Sequence, residues 1–565
     1  MSKRILVVGG VAGGASVATR IRRLDEMAEI IIFEKGPHVS FSNCSLPFHL
    51  SGIVESSDEL VLMDPAQFKS QYNIDARVNS EVVSIDRENK SIEIRETLSG
   101  KTYCEKYDIL VLSPGANAIM PKSIVGIDKE HVFSVRNVPD IHRIKTYIDG
   151  NNIEDIAVVG AGFIGLEVAE NLKLAGKNVS IVEAASQVMT VMDYDMAQIL
   201  HREIYNHRVN LILEDSLTEI TDTHLILKSG RKVEAAAVIV AIGVTPEVSL
   251  AREANLEIGE LGAIKVNHHY QTSDRSIYAV GDAIETSHLI TGKQTRLTLA
   301  GPAQRQARAV ANHLYGRTYK NTGVIGSSVV QCFGLNAAST GLNETQCKRN
   351  GIDYRVAYVI PGDKVGLMPN ANPLHFKLIF AYPSGRILGA QAIGRGAADK
   401  RIDVIAAMIT MNADIEDLAE LELAYSPMYG TAKDVVNHAA LVALNLLNGE
   451  YNQIEVSQVR ELVESGAFII DAREPDEYQA GHLINAINIP LSQFRDRLNE
   501  IPKDRPVYIH CRSSQRSYNM VRALQNLGYE NVVNISGSYL GICEYEFFND
   551  KTQNREAIVT EYNFE

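Results

Sequence analysis

Two short β-type runs, each broken by glycines and each followed by a helix, constrain this chain of 565 residues more than any other feature. The run Ile5 to Val8 passes into Gly9, Gly10, Val11, Ala12, Gly13 and Gly14, then a helix-like stretch from Ala15 to Leu24 and a second β run, Glu29 to Phe33, ending at Glu34. The run Ile156 to Val159 passes into Gly160, Ala161, Gly162, Phe163, Ile164 and Gly165, then a helix-like stretch to Leu174 and a strand Val179 to Val182 ending at Glu183. Strand, glycine turn, helix and strand with an acid about twenty residues beyond the turn is the pattern of a βαβ dinucleotide cradle. Gly9 permits the tight turn, small neighbours let backbone N–H groups approach a pyrophosphate at the helix N-terminus, and Glu34 offers a carboxylate to a ribose hydroxyl. The second turn carries the full Gly-x-Gly-x-x-Gly; in the first, Val11 replaces the middle glycine. Glu183 is followed by Ala184 and Ala185 instead of arginines and would repel a 2′-phosphate, so NADH is favoured over NADPH.

Composition narrows the rest. At ~100–200 residues per domain, the length predicts roughly three to five domains. Apolar residues at 45% and charged residues at 22% are globular values and exclude disordered, collagen-like and coiled-coil chains. Fifty-five basic against 69 acidic residues, a net charge of −14, argues against nucleic acid or an anionic membrane as the main partner. The six cysteines, Cys44, Cys104, Cys332, Cys347, Cys511 and Cys543, are too sparse for a disulfide framework. None forms a C-x-x-C, so no metal and no thioredoxin-type dithiol is expected. The apolar run near the N-terminus is too short for a signal segment, and no run approaches the ~18 residues of a membrane span; a cytoplasmic protein with reduced thiols is expected.

Two dinucleotide units, the first at the N-terminus, resemble the two-dinucleotide flavoprotein disulfide reductase family. Ile109 to Ser113 with Pro114, Gly115 and Ala116 is similar to the strand and turn that lead into that family's nicotinamide domain, and Val238 to Ile242 with Gly243, Val244, Thr245 and Pro246 to the way back. Ile277 to Val280 with Gly281 and Asp282 resembles its second flavin motif, and Gly301 and Pro302 open a helix whose dipole would favour negative charge on a reduced flavin. The resemblance implies FAD on Gly9, Val11, Ala12, Gly14, Glu34, Lys35, Asn43, Val83, Ser113, Gly115, Arg136, Gly281, Asp282, Ala300, Pro302 and Lys433. It implies NADH on Gly160, Gly162, Phe163, Ile164, Gly165, Glu183 and Gly243.

Cys44 stands alone in SFSNCSLPFHLSG, where classical family members carry two cysteines, so a dithiol mechanism is not expected. Single-cysteine members hold the sulfur as a sulfenic acid or as a mixed disulfide with coenzyme A. The peroxidase group's histidine is matched here by Ala12, and GGVAGG with SFSNCSLP is similar, over residues 1–445, to coenzyme A-disulfide reductases and NADH-dependent persulfide reductases. Arg20 and Arg23, three apart, share a helix face. The resemblance implies that they and Arg22 hold the phosphates of a coenzyme A whose thiol reaches Cys44, with Ser16, Ser40 and Asn43 alongside; the residues alone equally describe a solvated helix face. Thr322 to Leu447, with β-type segments Tyr354 to Val359 and Phe376 to Phe380 and helices after Lys400, looks like the family's dimerisation domain. Tyr425 to Asp434 is similar to its AYAPPYGSAKD, implying a homodimer in which Tyr425 reaches the other subunit's cysteine and Lys433 approaches the flavin. Leu367, Met368, Pro369, Asn370 and Ala371 replace the family's YYPGA, a departure that bears on thiolate protonation and substrate.

After a polar stretch, NGEYNQ, the segments Phe468 to Tyr478, Gly481, His482 and Ala486 to Leu491 closely resemble the rhodanese signature. Cys511, Arg512, Ser513, Ser514, Gln515 and Arg516 form its loop between a strand and a helix; arginines and N–H groups there would lower the cysteine pKa and hold an anionic sulfur donor. A tyrosine-phosphatase loop spaces its cysteine and arginine differently. Cys104, Cys332, Cys347 and Cys543 have no such setting; Cys332 is expected in a core strand and Cys543 near the rhodanese surface.

The expected fold is therefore α/β: two Rossmann-like domains for FAD (1–117 and 247–321) and NADH (118–246), an α+β dimerisation domain (322–447), a linker (448–454) and a C-terminal α/β rhodanese domain (455–565). The expected activity is NADH-driven, FAD-dependent reduction of coenzyme A persulfide or polysulfide with sulfide release, catalysed by Cys44 and Tyr425, with Cys511 and Arg516 carrying sulfane sulfur from polysulfide or thiosulfate. The alternatives are a coenzyme A-disulfide reductase with an independent sulfurtransferase, or a redox-sensing sulfur-trafficking protein.

Overall fold

The computed structural model describes residues 3–564. The chain divides into two compact units, one built from residues up to Ala184 together with Asp215–Val324, the other from Ala185–Glu214 and everything from Ile325 onward.

In the first unit a parallel sheet runs in the order Ile277–Ala279, Ile109–Leu112, Arg4–Val8, Glu29–Phe33, Asp75–Arg77. Ile5, Leu6 and Val7 are fully buried because helices cover both faces, which is why this strand reads as an unbroken apolar run. The helix Ala12–Arg22 follows the first glycine turn, and Ala300–Leu314 packs against it. A second parallel arrangement places Asp155–Val159 between Asn178–Val182 and Ala237–Val240. The paired segments Ala116–Ala118 and Val244–Pro246 carry the chain into and out of this region, as their prolines and glycines predict.

The two turns repeat one steric solution. A Cβ on Gly14 would lie 1.8 Å from the carbonyl oxygen of Gly9, and one on Gly165 2.0 Å from that of Gly160. Each final glycine lets its helix seat directly on its turn. A Cβ on Gly162 meets nothing within 4 Å, which explains why Val11 is accommodated at the matching place.

The second unit holds an antiparallel sheet ordered Ser328–Cys332, Leu335–Gly341, Ile387–Gly394, Leu374–Ala381, Tyr354–Val359, with the helices Ala398–Thr410 and Val435–Leu447. Its last part is a parallel sheet ordered Asn452–Ile454, Val532–Ile535, Val507–His510, Phe468–Asp471, Ile487–Asn488. The expected linker is thus corrected: Asn452–Ile454 is an edge strand of this sheet and Tyr451 is buried in its core, the polar side chains of NGEYNQ having masked the pairing. Cys332 is buried in a strand as expected. Cys543 is not near the surface but fully buried, on a helix Ser538–Gln553 flanked by apolar contacts.

The C-terminal module is docked, not merely tethered. Arg202 Nε donates to Glu544 Oε2 at 2.7 Å, Asn549 Nδ2 to Tyr194 Oη at 3.1 Å, and Gln453 Nε2 to the Val356 carbonyl at 3.0 Å. A Cβ on Gly537 would meet the Tyr358 ring at 2.7 Å.

The unit's core also contains Lys377, fully buried, with its ammonium 2.8 and 3.0 Å from the Asp195 carboxylate, 2.5 Å from Glu344 and 3.2 Å from Asp193. The three carboxylates are close enough together for a metal, but an ammonium fills the place between them. Lys377→Met removes that charge and leaves acids buried and unpaired, a loss of about 3–5 kcal/mol. Thermal unfolding of this unit should fall by about 10 °C.

Candidate active sites

The first glycine turn opens onto a cleft of about 440 Å³ lined by Gly9, Val11, Ala12, Glu34, Lys35, Asn43, Ser113, Gly115, Arg136, Gly281 and Asp282, among others. Eleven of the residues expected at a flavin site thus converge. Val83 lines an adjoining groove of about 370 Å³ that shares Gly9, Glu34 and Lys35. Ala303, in the first turn of the helix Ala300–Leu314, also lines the cleft, while Gly14 packs against the Gly9 carbonyl and Gly14, Ala300 and Pro302 are not among the lining residues. The Glu34 carboxylate accepts from the N–H groups of Gly10 and Gly36, each at 2.9 Å, and Glu183 accepts from Ala161 N–H at 2.8 Å. Each acid therefore clamps a glycine turn. Arg136 donates to the Ala116 carbonyl at 2.8 Å and lies 3.9 Å from Asp282, whose carboxyl burial pushes above its usual range. A partly buried acid and positive-φ glycines at 9, 115 and 281, lining one hollow, fit a dinucleotide such as FAD.

Cys44 sits in a single 3₁₀ turn, Asn43–Ser45, braced by the Ser42 and Ser45 hydroxyls 2.8 Å apart. Its sulfur is reachable from solvent. Surrounding protein, then the carboxylates of Glu167 and Asp282, push the thiol pKa above its usual value. Glu167 belongs to the helix Phe163–Leu174, which follows the second glycine turn and packs against the helix Phe48–Ser51; Ser51 Oγ donates to Asn171 Oδ1 at 2.6 Å. Burial and the neighbouring Glu170 raise Glu167 to about 7. Sequence reasoning passed over this acid; its signal is a carboxylate two residues after Gly165 in an otherwise apolar stretch. In Glu167→Gln the charge that opposes thiolate formation is gone, so Cys44 alkylation at pH 8 should run about 3–10-fold faster. The difference should vanish near pH 6, where Glu167 is protonated.

The arginines divide. Arg22 is 5% exposed, and its guanidinium donates to the carbonyls of Tyr72, Asp25, Glu26 and Asn73. It is a structural clamp closing the first helix, which corrects its assignment to coenzyme A. Arg20 instead donates to Asn312 Oδ1, at 3.3 Å from Nε and 3.0 Å from Nη2. Asn312 also accepts the Arg317 N–H on its carbonyl at 2.8 Å, and Arg308 lies one helical turn before it on the same face. Arg20, Arg23, Arg308 and Arg317 make no ion pair among the described residues, and burial first, then Arg308, Arg23 and Arg317, depress the Arg20 pKa. Ser40, at φ +49°, donates its N–H to the Gly10 carbonyl at 2.8 Å and holds the cysteine loop to the turn. Ser16 lies one turn before Arg20.

In the second unit Tyr425 is half exposed, and Met428, Tyr429 and Lys433 are exposed on the same segment. Leu367 is also exposed.

Cys511 lies 1% exposed at the end of the strand Val507–His510, in the core of the last sheet. Its N–H donates to Ser538 Oγ at 3.1 Å, and that hydroxyl stands 4.0 Å from the sulfur. The loop turns through Ser514 at φ +75°, a left-handed conformation held by its hydroxyl on the Ile535 carbonyl at 3.1 Å. Asp471 and Arg473, deep in the signature segment, form a buried pair at 2.7 Å beside His510; they build the loop's floor. Arg516 is bound in two places by Glu477, at 2.5 and 2.7 Å.

Two glycine-turn βαβ units with the exposed Cys44 between them in sequence define a flavin- and pyridine-nucleotide-linked oxidoreductase, here with a cysteine-loop module attached. The chain belongs to the pyridine nucleotide-disulphide oxidoreductase family: that family's model matches residues 3–307, its dimerisation domain matches 327–435, and a rhodanese-like domain matches 455–545. It is 33% identical to the coenzyme A disulfide reductase of Staphylococcus epidermidis over 435 residues, 77% of this chain and 98% of that protein. Among solved structures, that of reduced CoADR-RHD from Bacillus anthracis superposes with a TM-score of 0.94 at 44% identity, covering 98% of this chain and 99% of that one. The NAD-dependent persulfide reductase from A. fulgidus superposes at 0.91 with 34% identity, covering 95% and 99%. Among the described residues no helix is long and apolar enough to cross a membrane.

Proposed function

We propose that the protein is an NADH-driven, FAD-dependent reductase of coenzyme A persulfide that releases sulfide. The observation that carries this is the pairing of a reachable thiol without a dithiol partner in its loop, Cys44, with a cluster of Arg20, Arg23, Arg308 and Arg317 on the same unit that makes no ion pair among the described residues. A thiol without a resolving cysteine can capture its substrate as a mixed disulfide, and four guanidiniums with no carboxylate partner among the described residues ask for a polyanion such as the phosphates of coenzyme A. Bound FAD would supply the two electrons taken from NADH. The Cys44 thiolate attacks the coenzyme A-bound sulfur of the persulfide; an S–S bond to Cys44 forms as the bond to the terminal sulfur breaks, and hydrosulfide leaves. Two electrons then return the mixed disulfide to thiolate and free coenzyme A, so that one NADH, one persulfide and one proton give one coenzyme A, one sulfide and NAD⁺. Glu167, near neutrality in its proton affinity, is placed to exchange that proton. Gly160, Gly162, Phe163, Ile164, Gly165, Glu183 and Gly243 would hold NADH, the carboxylate of Glu183 disfavouring a 2′-phosphate. Exposed Tyr425, Met428 and Tyr429 are the surface of a homodimer, in which Tyr425 would serve the partner's thiol and Lys433 the flavin. Cys511 would carry sulfane sulfur. Reduction of coenzyme A disulfide is the second reading, favoured by the named Staphylococcus relative. Comparing kcat/KM for coenzyme A persulfide and coenzyme A disulfide decides it: the persulfide should be preferred at least tenfold, and preference for the disulfide would replace the first reading with the second.

A further inference from the structure

The bidentate Glu477–Arg516 pair lies at the mouth of the loop that holds Cys511, and it bears on which sulfur donor that loop accepts. With Arg512, Arg516 is close enough to feel the charge of the Cys511 sulfur, so it is one of two guanidiniums an incoming anion would meet. Both of its terminal nitrogens are taken: Nη1 donates to Glu477 Oε2 at 2.5 Å and Nη2 to Oε1 at 2.7 Å. Planar guanidinium on planar carboxylate is the same two-point geometry an oxyanion would use. Glu477 is held in place, since Oε2 also accepts the Glu474 N–H at 3.2 Å in the box that caps the helix Pro475–Gln479. Glu474 in turn accepts from Ser492 Oγ at 3.0 Å. Arg473, the other guanidinium of the signature, is committed to Asp471 and the Gly481 carbonyl in the core. With Glu477 ionised, the formal charge of Arg512, Arg516 and Glu477 together is one positive unit where two arginines alone would carry two.

We infer that Glu477 is a specificity-determining residue that excludes dianionic oxyanion donors such as thiosulfate from Cys511 and reserves the loop for persulfides carried on a thiol. This rests on the reading that Cys511 carries sulfane sulfur. With a persulfide, the Cys511 thiolate attacks the terminal sulfur, the new S–S bond forms as the old one breaks, and a single thiolate leaves; no external oxidant or reductant is needed. With thiosulfate the leaving group is sulfite, a dianion whose oxygens require the guanidinium face that Glu477 covers. In a thiol-borne persulfide the sulfur next to the transferred one carries carbon and no oxygens.

The test uses the full-length flavoprotein and measures Cys511-dependent sulfur transfer to cyanide from two donors, thiosulfate and glutathione persulfide. Wild type should favour the persulfide at least tenfold in kcat/KM; equal use of the two donors in the unaltered protein would overturn the inference without any variant. Glu477→Gln should shift the thiosulfate-to-persulfide ratio at least tenfold toward thiosulfate, mainly through a lower thiosulfate KM. Glu477→Asp, which keeps the charge, should stay within about threefold of wild type, and Arg516→Gln added to Glu477→Gln should cancel the shift. A ratio unmoved in Glu477→Gln, or moved equally in Glu477→Asp, contradicts the assignment. Transfer surviving in Cys511→Ser with either donor would instead remove the sulfur-carrying reading on which it rests.

Discussion

Cys44→Ser should abolish persulfide-dependent NADH oxidation, lowering kcat by about a thousandfold or more, because a serine hydroxyl neither attacks a sulfane sulfur nor leaves from one at neutral pH. The loss should be confined to sulfur chemistry. Reduction of a small artificial electron acceptor by NADH, which needs the nucleotide cradles but no thiol, should continue in the variant. Of the other cysteines, Cys104 is exposed on the edge strand Thr102–Lys106, and Cys332, Cys347, Cys511 and Cys543 are buried. Burial and nearby carboxylates raise Cys347 and Cys543 to about 12. Sulfur-dependent turnover above about a tenth of wild type in Cys44→Ser would mean that the thiol is not the point of attack.

The second large effect concerns the arginines. Arg20→Ala combined with Arg308→Ala should raise KM for coenzyme A persulfide about 30-fold or more while leaving kcat within a few-fold, since each charge-assisted contact to a phosphate contributes about 1.5–3 kcal/mol. The same variant should use pantetheine persulfide, which lacks the nucleotide, with unchanged KM, and its affinity for NADH should not move. A parallel rise in KM for both persulfides would show that the substitutions disturbed the thiol loop instead of a phosphate subsite. Arg22→Ala should behave differently: with four backbone carbonyls left unsatisfied beneath the first helix, it should lower stability before it changes any KM.

These contrasts show where sequence was informative. The glycine turns were legible because the backbone leaves no choice: Gly9 at φ +92° and Gly160 at φ +101° sit against neighbouring carbonyls that exclude any side chain. The two cysteine loops were picked out through the resemblance of their motifs, SFSNCSLP around Cys44 and Cys511 to Arg516 between a strand and a helix. The partition of the arginines was not. Helical spacing groups Arg20 with Arg23, yet nothing in it says that Arg22 turns inward or that Arg308 and Arg317, almost three hundred residues away, come near enough for their charges to act on Arg20. Glu167 and Glu477 escaped notice for the same reason, each acting on a cysteine remote in sequence. Lys377 was invisible as well, since a lysine in a strand reads as a surface residue until three acids from two segments are folded around it. The polar stretch before the last module misled because an edge strand of three residues needs no apolar pattern.

The most direct test of the whole account is a single-turnover measurement on the purified flavoprotein without oxygen. One equivalent of coenzyme A persulfide, added before NADH, should release one sulfide and leave the chain heavier by one disulfide-linked coenzyme A on Cys44, absent from Cys44→Ser. One equivalent of NADH should then discharge it. Sulfide released without that adduct, or an adduct carried on any other cysteine, would contradict the account.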